Sequence, residues 1–175
     1  MNDLIIREDK TSKGMAMSSK RNSLKVAAAA LFGGALASTR PARAADDTLR
    51  FPGDPPQHKL VYQVNQAEPD YIEHILASLR AMVVKYGDNV ALAVVAFGPG
   101  IHLLATKPER PIADEARERI VSFAKDYGVE LVACGNTLTG LGWGADRIIA
   151  QARIEQVGAA ALMEFQEKGY AYIAW

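Results

Sequence analysis

Val90-Ala91-Leu92-Ala93-Val94-Val95-Ala96-Phe97, closed by Gly98-Pro99-Gly100, is the stretch that decides the fold. An unbroken apolar run of strand length, ended by turn formers, suits a strand covered on both faces, as the middle of a parallel sheet is. The sequence on either side alternates in the same sense. Upstream, residues 60–65 (Leu-Val-Tyr-Gln-Val-Asn) predict a strand. Glu68-Pro69-Asp70 then opens a helix, with proline early and acids at the positive end. Ile72, Ile75, Leu76, Leu79, Met82 and Val83 recur at steps of three and four until Gly87 stops them.

Downstream, Ile112, Ala116, Ile120, Phe123, Ala124 and Tyr127 mark a second helix, stopped by Gly128. Residues 129–134 predict a third strand, and residues 152–157 a more polar one near an edge. Residues 159–168 predict a helix stopped by Gly169, and residues 170–175 the last strand. Strands and helices taken in turn predict an α/β fold: three layers, α/β/α, around a mainly parallel five-stranded, flavodoxin-like sheet. In the order 2-1-3-4-5, strands one and three are neighbours. Asn65 and Cys134 then face each other across the switch-point crevice, with Gly98 and Gly100 on its rim.

The first 44 residues carry a different signal. Lys20, Arg21 and Lys25 precede an Ala/Gly-rich apolar stretch over residues 26–37, and Ala42-Arg43-Ala44 offers small residues at a cleavage site. This is the order of an export signal, with cleavage near Ala44 and a periplasmic or otherwise exported product. Ser19-Lys20-Arg21-Asn22-Ser23-Leu24-Lys25 resembles a twin-arginine signal with Lys for the first Arg, and general secretion is the other route. Residues 45–57, with three prolines and three aspartates, read as a linker, and residues 58–175 as one domain. Removing the eight basic and three acidic residues of the signal from the chain's 20 of each leaves 12 and 17, a net charge of −5. No basic patch survives for nucleic acid, and no segment of the mature part is apolar and long enough for a stable membrane anchor.

Cys134 is the only cysteine, so no internal disulfide forms. The thiol is inert, paired with another chain, or reactive. Its place between a strand and the Gly135-Asn136-Thr137 turn sets it near N–H groups that favour a thiolate. A buried, inert cysteine is the competing reading, because free cysteine is among the most buried residue types. Asn65 and Asn136 are candidate donors to a bound anion, or turn caps, and Thr137 is a candidate helix cap. His102 follows the glycine-rich turn as a candidate base for the thiol, or as a packed residue. His58, His74 and His102 are too scattered to make a metal site with one cysteine. Gly140-Leu141-Gly142-Trp143-Gly144 matches no dinucleotide fingerprint, and no cofactor is expected. Trp143 within it reads as a lid over the crevice or as an interface anchor.

Cys-Gly-Asn-Thr-Leu at 134–138 after Gly-Val-Glu-Leu at 128–131, with Gly-Tyr-Ala-Tyr-Ile at 169–173, resembles the DsrE/DsrF-like proteins, here an exported branch, over residues 58–175. The resemblance implies a compact α/β/α domain assembled as a trimer or hexamer. It also implies sulfur relayed as a persulfide on a cysteine at the position of Cys134, with a sulfur donor or acceptor protein as partner. The expected function is a persulfide carrier or sulfurtransferase-like module. The alternatives are a non-catalytic module binding a small anion or metabolite, and a structural oligomer in which Cys134 only packs.

Overall fold

The apolar run of residues 90–97 becomes the middle strand of a five-stranded sheet in a computed structural model that describes residue 51 and residues 53–175. The export signal and most of the linker lie outside the described residues. The elements are β1 (His58–Val64), α1 (Pro69–Tyr86), β2 (Val90–Ala96), a 3₁₀ helix (Gly98–Leu104), α2 (Asp114–Tyr127), β3 (Glu130–Cys134), α3 (Gly135–Leu141), β4 (Ala152–Glu155), α4 (Gly158–Glu167) and β5 (Ala171–Ile173). Gln57, at the end of the predicted linker, is tied down, its N–H donating to Asn89 Oδ1 at 2.9 Å. Among the described residues no helix is long and apolar enough to cross a membrane.

Every strand pairing is parallel and the helices lie on both faces, so the three-layer α/β/α class is as the sequence predicts. The strand order is not. It runs β4-β3-β2-β1-β5, with β2 between β1 and β3, rather than 2-1-3-4-5. Handedness accounts for the layers. From β1 to β4 each connection steps one place in the same direction, and right-handed crossovers keep the intervening helices on one face. The last connection runs back across the whole sheet from β4 to β5, which sends α4 to the other face.

The side chains follow the two-residue alternation of strands. Tyr62, Val94 and Leu131 point to the α1/α2 side, where they pack with Ile75, Leu79 and Ile120. Val61, Val95 and Val132 point the other way, against Ala161, Leu162 and Phe165 of α4. The buried Tyr62 hydroxyl is satisfied by Ser78 Oγ at 2.9 Å. α2 ends at Gly128, whose φ of 66° is the left-handed conformation that a helix stop requires.

This topology moves the switch point. The chain leaves β3 for α3 on the α1/α2 side, where Leu138 joins the core, and leaves β4 for α4 on the opposite side. The crevice of such a sheet therefore belongs between β3 and β4. Cys134 ends β3, and by alternation with Val132 it points toward α4.

Candidate functional site around Cys134

Cys134 stands where two helices begin. It is the residue before α3, and the first N–H of α4, that of Gly158, donates to its Sγ at 3.3 Å. Helix N-termini present unpaired N–H groups and a positive dipole end, both of which favour an anion. Burial pushes the thiol pKa up. The Thr137 hydroxyl and the N–H groups of Thr137, Gly158 and Asn136 outweigh it and hold the thiol below its ordinary value. The approach is close enough to demand glycine. A Cβ on Gly158 would lie 2.9 Å from Cys134 Cβ and 3.2 Å from Sγ.

The sulfur is covered. Cys134 is 7% exposed. The turns on the two sides of the switch point are bridged, Gln156 Nε2 donating to Asn136 Oδ1 at 2.7 Å and Asn136 N to Gln156 O at 2.9 Å. Asn136, Gln156 and Val157 are exposed, so the rim above the buried thiol faces solvent. Gly135 fits beneath Gln156, where a Cβ would come within 2.9 Å of Oε1 and 3.0 Å of Cα. A cavity of about 480 Å³ opens elsewhere, between the starts of α1 and α2, lined by Ile72, Ile112 and Ala116 and by the Glu73–Arg119 ion pair at 2.7 Å.

Of the residues singled out from sequence, Gly135, Asn136 and Thr137 gather at Cys134, and Gly98 reaches the group through a hydrogen bond from its N–H to Thr137 Oγ1 at 3.0 Å. Thr137 does not cap α3, which has no side-chain cap. Asn65 does not face Cys134, because β2 intervenes. Its Oδ1 accepts from the Tyr71 hydroxyl at 3.2 Å. Gly100 serves packing: the 3₁₀ helix crosses so near the end of β1 that a Cβ there would lie 2.5 Å from the Val64 carbonyl carbon.

His102 and Trp143 form a separate cluster on the α1/α2 side. The imidazole is 4% exposed. Its Nδ1 accepts from Glu109 N at 3.1 Å, and its ring meets Trp143 edge-on at 5.0 Å. Trp143 is neither a lid nor an exposed anchor. It is 9% exposed, its Nε1 donates to Glu109 Oε1 at 3.2 Å, and the Arg147 guanidinium lies over its ring at 4.5 Å. Burial lowers the His102 pKa. Arg110 adds to this, Glu109 opposes it and Arg147 adds further. As pH falls through about 6.5 the unfolded chain takes up this proton first, so stability falls with it. His102→Phe removes the acceptor of Glu109 N and is expected to cost about 1–3 kcal/mol. It should also flatten that acid loss of stability in urea titrations, while the pH midpoint of Cys134 alkylation stays where it is.

Sequence reading missed Gly158 and Gln156. The signal was present in Val157-Gly158, a glycine between a predicted strand and the apolar helix of residues 159–168. Such a glycine marks a close backbone approach.

Two of the solved structures similar to this chain are as follows. One is the protein of unknown function MTH1491 from Methanobacterium thermoautotrophicum, 21% identical with a TM-score of 0.59, the match covering 66% of this chain and 97% of that one. The other is the ychN protein from E. coli, 15% identical with a TM-score of 0.49, covering 66% and 96%. No curated protein matches the chain. The sequence matches the DsrE/DsrF-like family over residues 52–175, a span that takes in the whole sheet and every residue around the thiol. The chain therefore belongs to the DsrE/DsrF-like family, which points to a role related to sulfur relay in general.

Proposed function

We propose that this protein carries sulfane sulfur as a persulfide on Cys134. The observation that carries the reading is the set of donors around the sulfur. The Gly158 N–H at the start of α4 donates to Sγ at 3.3 Å, and the thiol pKa is held below its ordinary value although burial pushes it up. A thiolate is the nucleophile that such chemistry needs.

The exchange balances without an oxidant. The Cys134 thiolate attacks the outer sulfur of a donor persulfide. A new S–S bond forms at Cys134, the donor's own S–S bond breaks, and the donor leaves as a thiolate. Discharge is the reverse step with a different partner, an acceptor thiolate taking the outer sulfur while the electron pair of the broken bond returns to Cys134 Sγ. A cysteine with a lowered pKa is the better leaving group in that second step. Access requires the Asn136–Gln156 bridge to part. Both side chains are exposed, and each of the bridge's two hydrogen bonds contributes only about 1 kcal/mol net.

The reading extends to the whole chain. The N-terminal pattern supports export and work in the periplasm. Apolar side chains left exposed at 40–57%, Ile154 and Val157 beside the site and Tyr172 and Trp175 at the β5 end, support assembly with further copies. A second reading rests on the 7% exposure of Cys134: a non-catalytic domain in which the thiol only packs. Exposure of the purified protein to polysulfide separates the two. A carrier gains the mass of sulfur and Cys134→Ala does not; a packing cysteine gains nothing.

A further inference from the structure

Residues 156–158 run along the Cys134 sulfur as a strap. Sγ lies 4.0 Å from Gln156 O at one end of the segment and 3.3 Å from Gly158 N at the other. The strap leaves β4 and enters α4, across the switch point from the turn that follows β3. Val157, in its middle, is exposed, whereas Cys134 is buried. Solvent meets the strap, and the sulfur lies behind it.

Gln156 is tied across the switch point twice. Its O accepts from Asn136 N at 2.9 Å, and its Nε2 donates to Asn136 Oδ1 at 2.7 Å. The two bonds differ in what must move to break them. The first joins main chain to main chain, one residue beyond the Cys134–Glu155 pair of the β3–β4 register, so its loss displaces the ends of two strands. The second joins two exposed side chains and breaks when either rotates. Gly135 leaves the carboxamide its seat. A Cβ there would lie 2.9 Å from Gln156 Oε1 and 3.2 Å from Cδ.

We propose that the Gln156 side chain is the latch that sets access to Cys134: bonded to Asn136 it holds the strap against the thiol, and released it lets the strap give way to an incoming sulfur. The inference rests on the reading of Cys134 as the sulfur carrier and names what regulates that site. Opening of this kind is local. It leaves the sheet paired and the helices packed, and its frequency is set by the bonds that close it.

The test is the rate of Cys134 alkylation by iodoacetamide in the full domain and in Gln156→Ala, Asn136→Ala and the double variant. Each single variant is expected to react about five-fold faster, the factor that one lost hydrogen bond supplies. The pH midpoint should stay where it is, because the Gly158 N–H facing the thiol is main chain in every variant. The urea midpoint should change little, which separates local opening from general loss of stability. The double variant should react no faster than either single one, since all three lack the same bond. A rate unmoved or lowered in either single variant, or single effects that multiply in the double, overturns the inference. If Gln156→Ala does not fold, Asn136→Ala breaks the bond from the other side and is read alone. Polysulfide loading of the unaltered protein keeps the two claims apart. Faster alkylation in the variants with no loading sinks the carrier and leaves the latch. Loading with unmoved alkylation rates sinks the latch and leaves the carrier.

Discussion

Gly100→Ala is expected to destabilise the domain by about 3 kcal/mol or more, above the usual range for an overpacked site. The added Cβ would lie 2.5 Å from the carbonyl carbon of Val64, 2.8 Å from Asn65 N and closer still to Val64 O. These are backbone atoms, and they cannot swing aside as a side chain can. They end β1, which is paired on both sides, with β2 and with β5. Moving them breaks sheet hydrogen bonds, and moving the 3₁₀ helix instead pulls Ile101, Leu103 and Leu104 out of the core. Against a total stability of about 5–15 kcal/mol, the loss should appear in urea as a much lower midpoint with an unchanged slope. Gly140→Ala is the control. Nothing lies within 4 Å of a Cβ there, and alanine within a helix is favourable by about 0.5–1 kcal/mol. Equal midpoints for the two variants would contradict the close crossing of β1.

Gly158→Ala is expected to act on both stability and the thiol. Its Cβ would meet Cys134 Cβ at 2.9 Å, Sγ at 3.2 Å and Phe97 Cδ1 at 3.4 Å. The start of α4 must back away, at a cost of about 1–3 kcal/mol, and the 3.3 Å bond from Gly158 N to Sγ lengthens. The sign for the thiol follows. A donor to the anion weakens while burial persists, so the pKa rises toward its ordinary value and beyond. Alkylation followed against pH should show the midpoint moved up, and the rate at neutral pH should fall. A variant that loses stability but keeps its midpoint would mean that the helix start does not sustain the thiolate.

These effects mark where sequence reading reaches and where it stops. The strand at residues 90–97, the helix stops at Gly87 and Gly128 and the polar edge strand at β4 are written locally, in apolar period and turn chemistry, and the structure has them close to where the pattern puts them. Strand order leaves no such trace. β1 pairs with β2 and β5 through hydrogen bonds whose partners lie far apart in the chain, and either order buries the same apolar runs. The error then carried over to Asn65, placed opposite Cys134 by an order that the sheet does not have. Cys134 kept its place at the switch point for a different reason, the reversal between β3 and β4. Its donors were half legible. Asn136 and Thr137 follow it in sequence, whereas Gly158 lies 24 residues away and reaches the sulfur only because the final crossover brings α4 back over the sheet. His102 looked like a base because it follows the glycine turn, but the 3₁₀ helix carries it into the α1/α2 core with Trp143.

A sulfur carrier must accept a second sulfur on Cys134 and release it again. The direct measurement is intact mass after exposure to polysulfide, then again after addition of an excess of a small thiol. One added sulfur is expected on the unaltered protein, with its loss to the thiol, and neither step in Cys134→Ala. No added sulfur on the folded protein, or the same addition in Cys134→Ala, would contradict it.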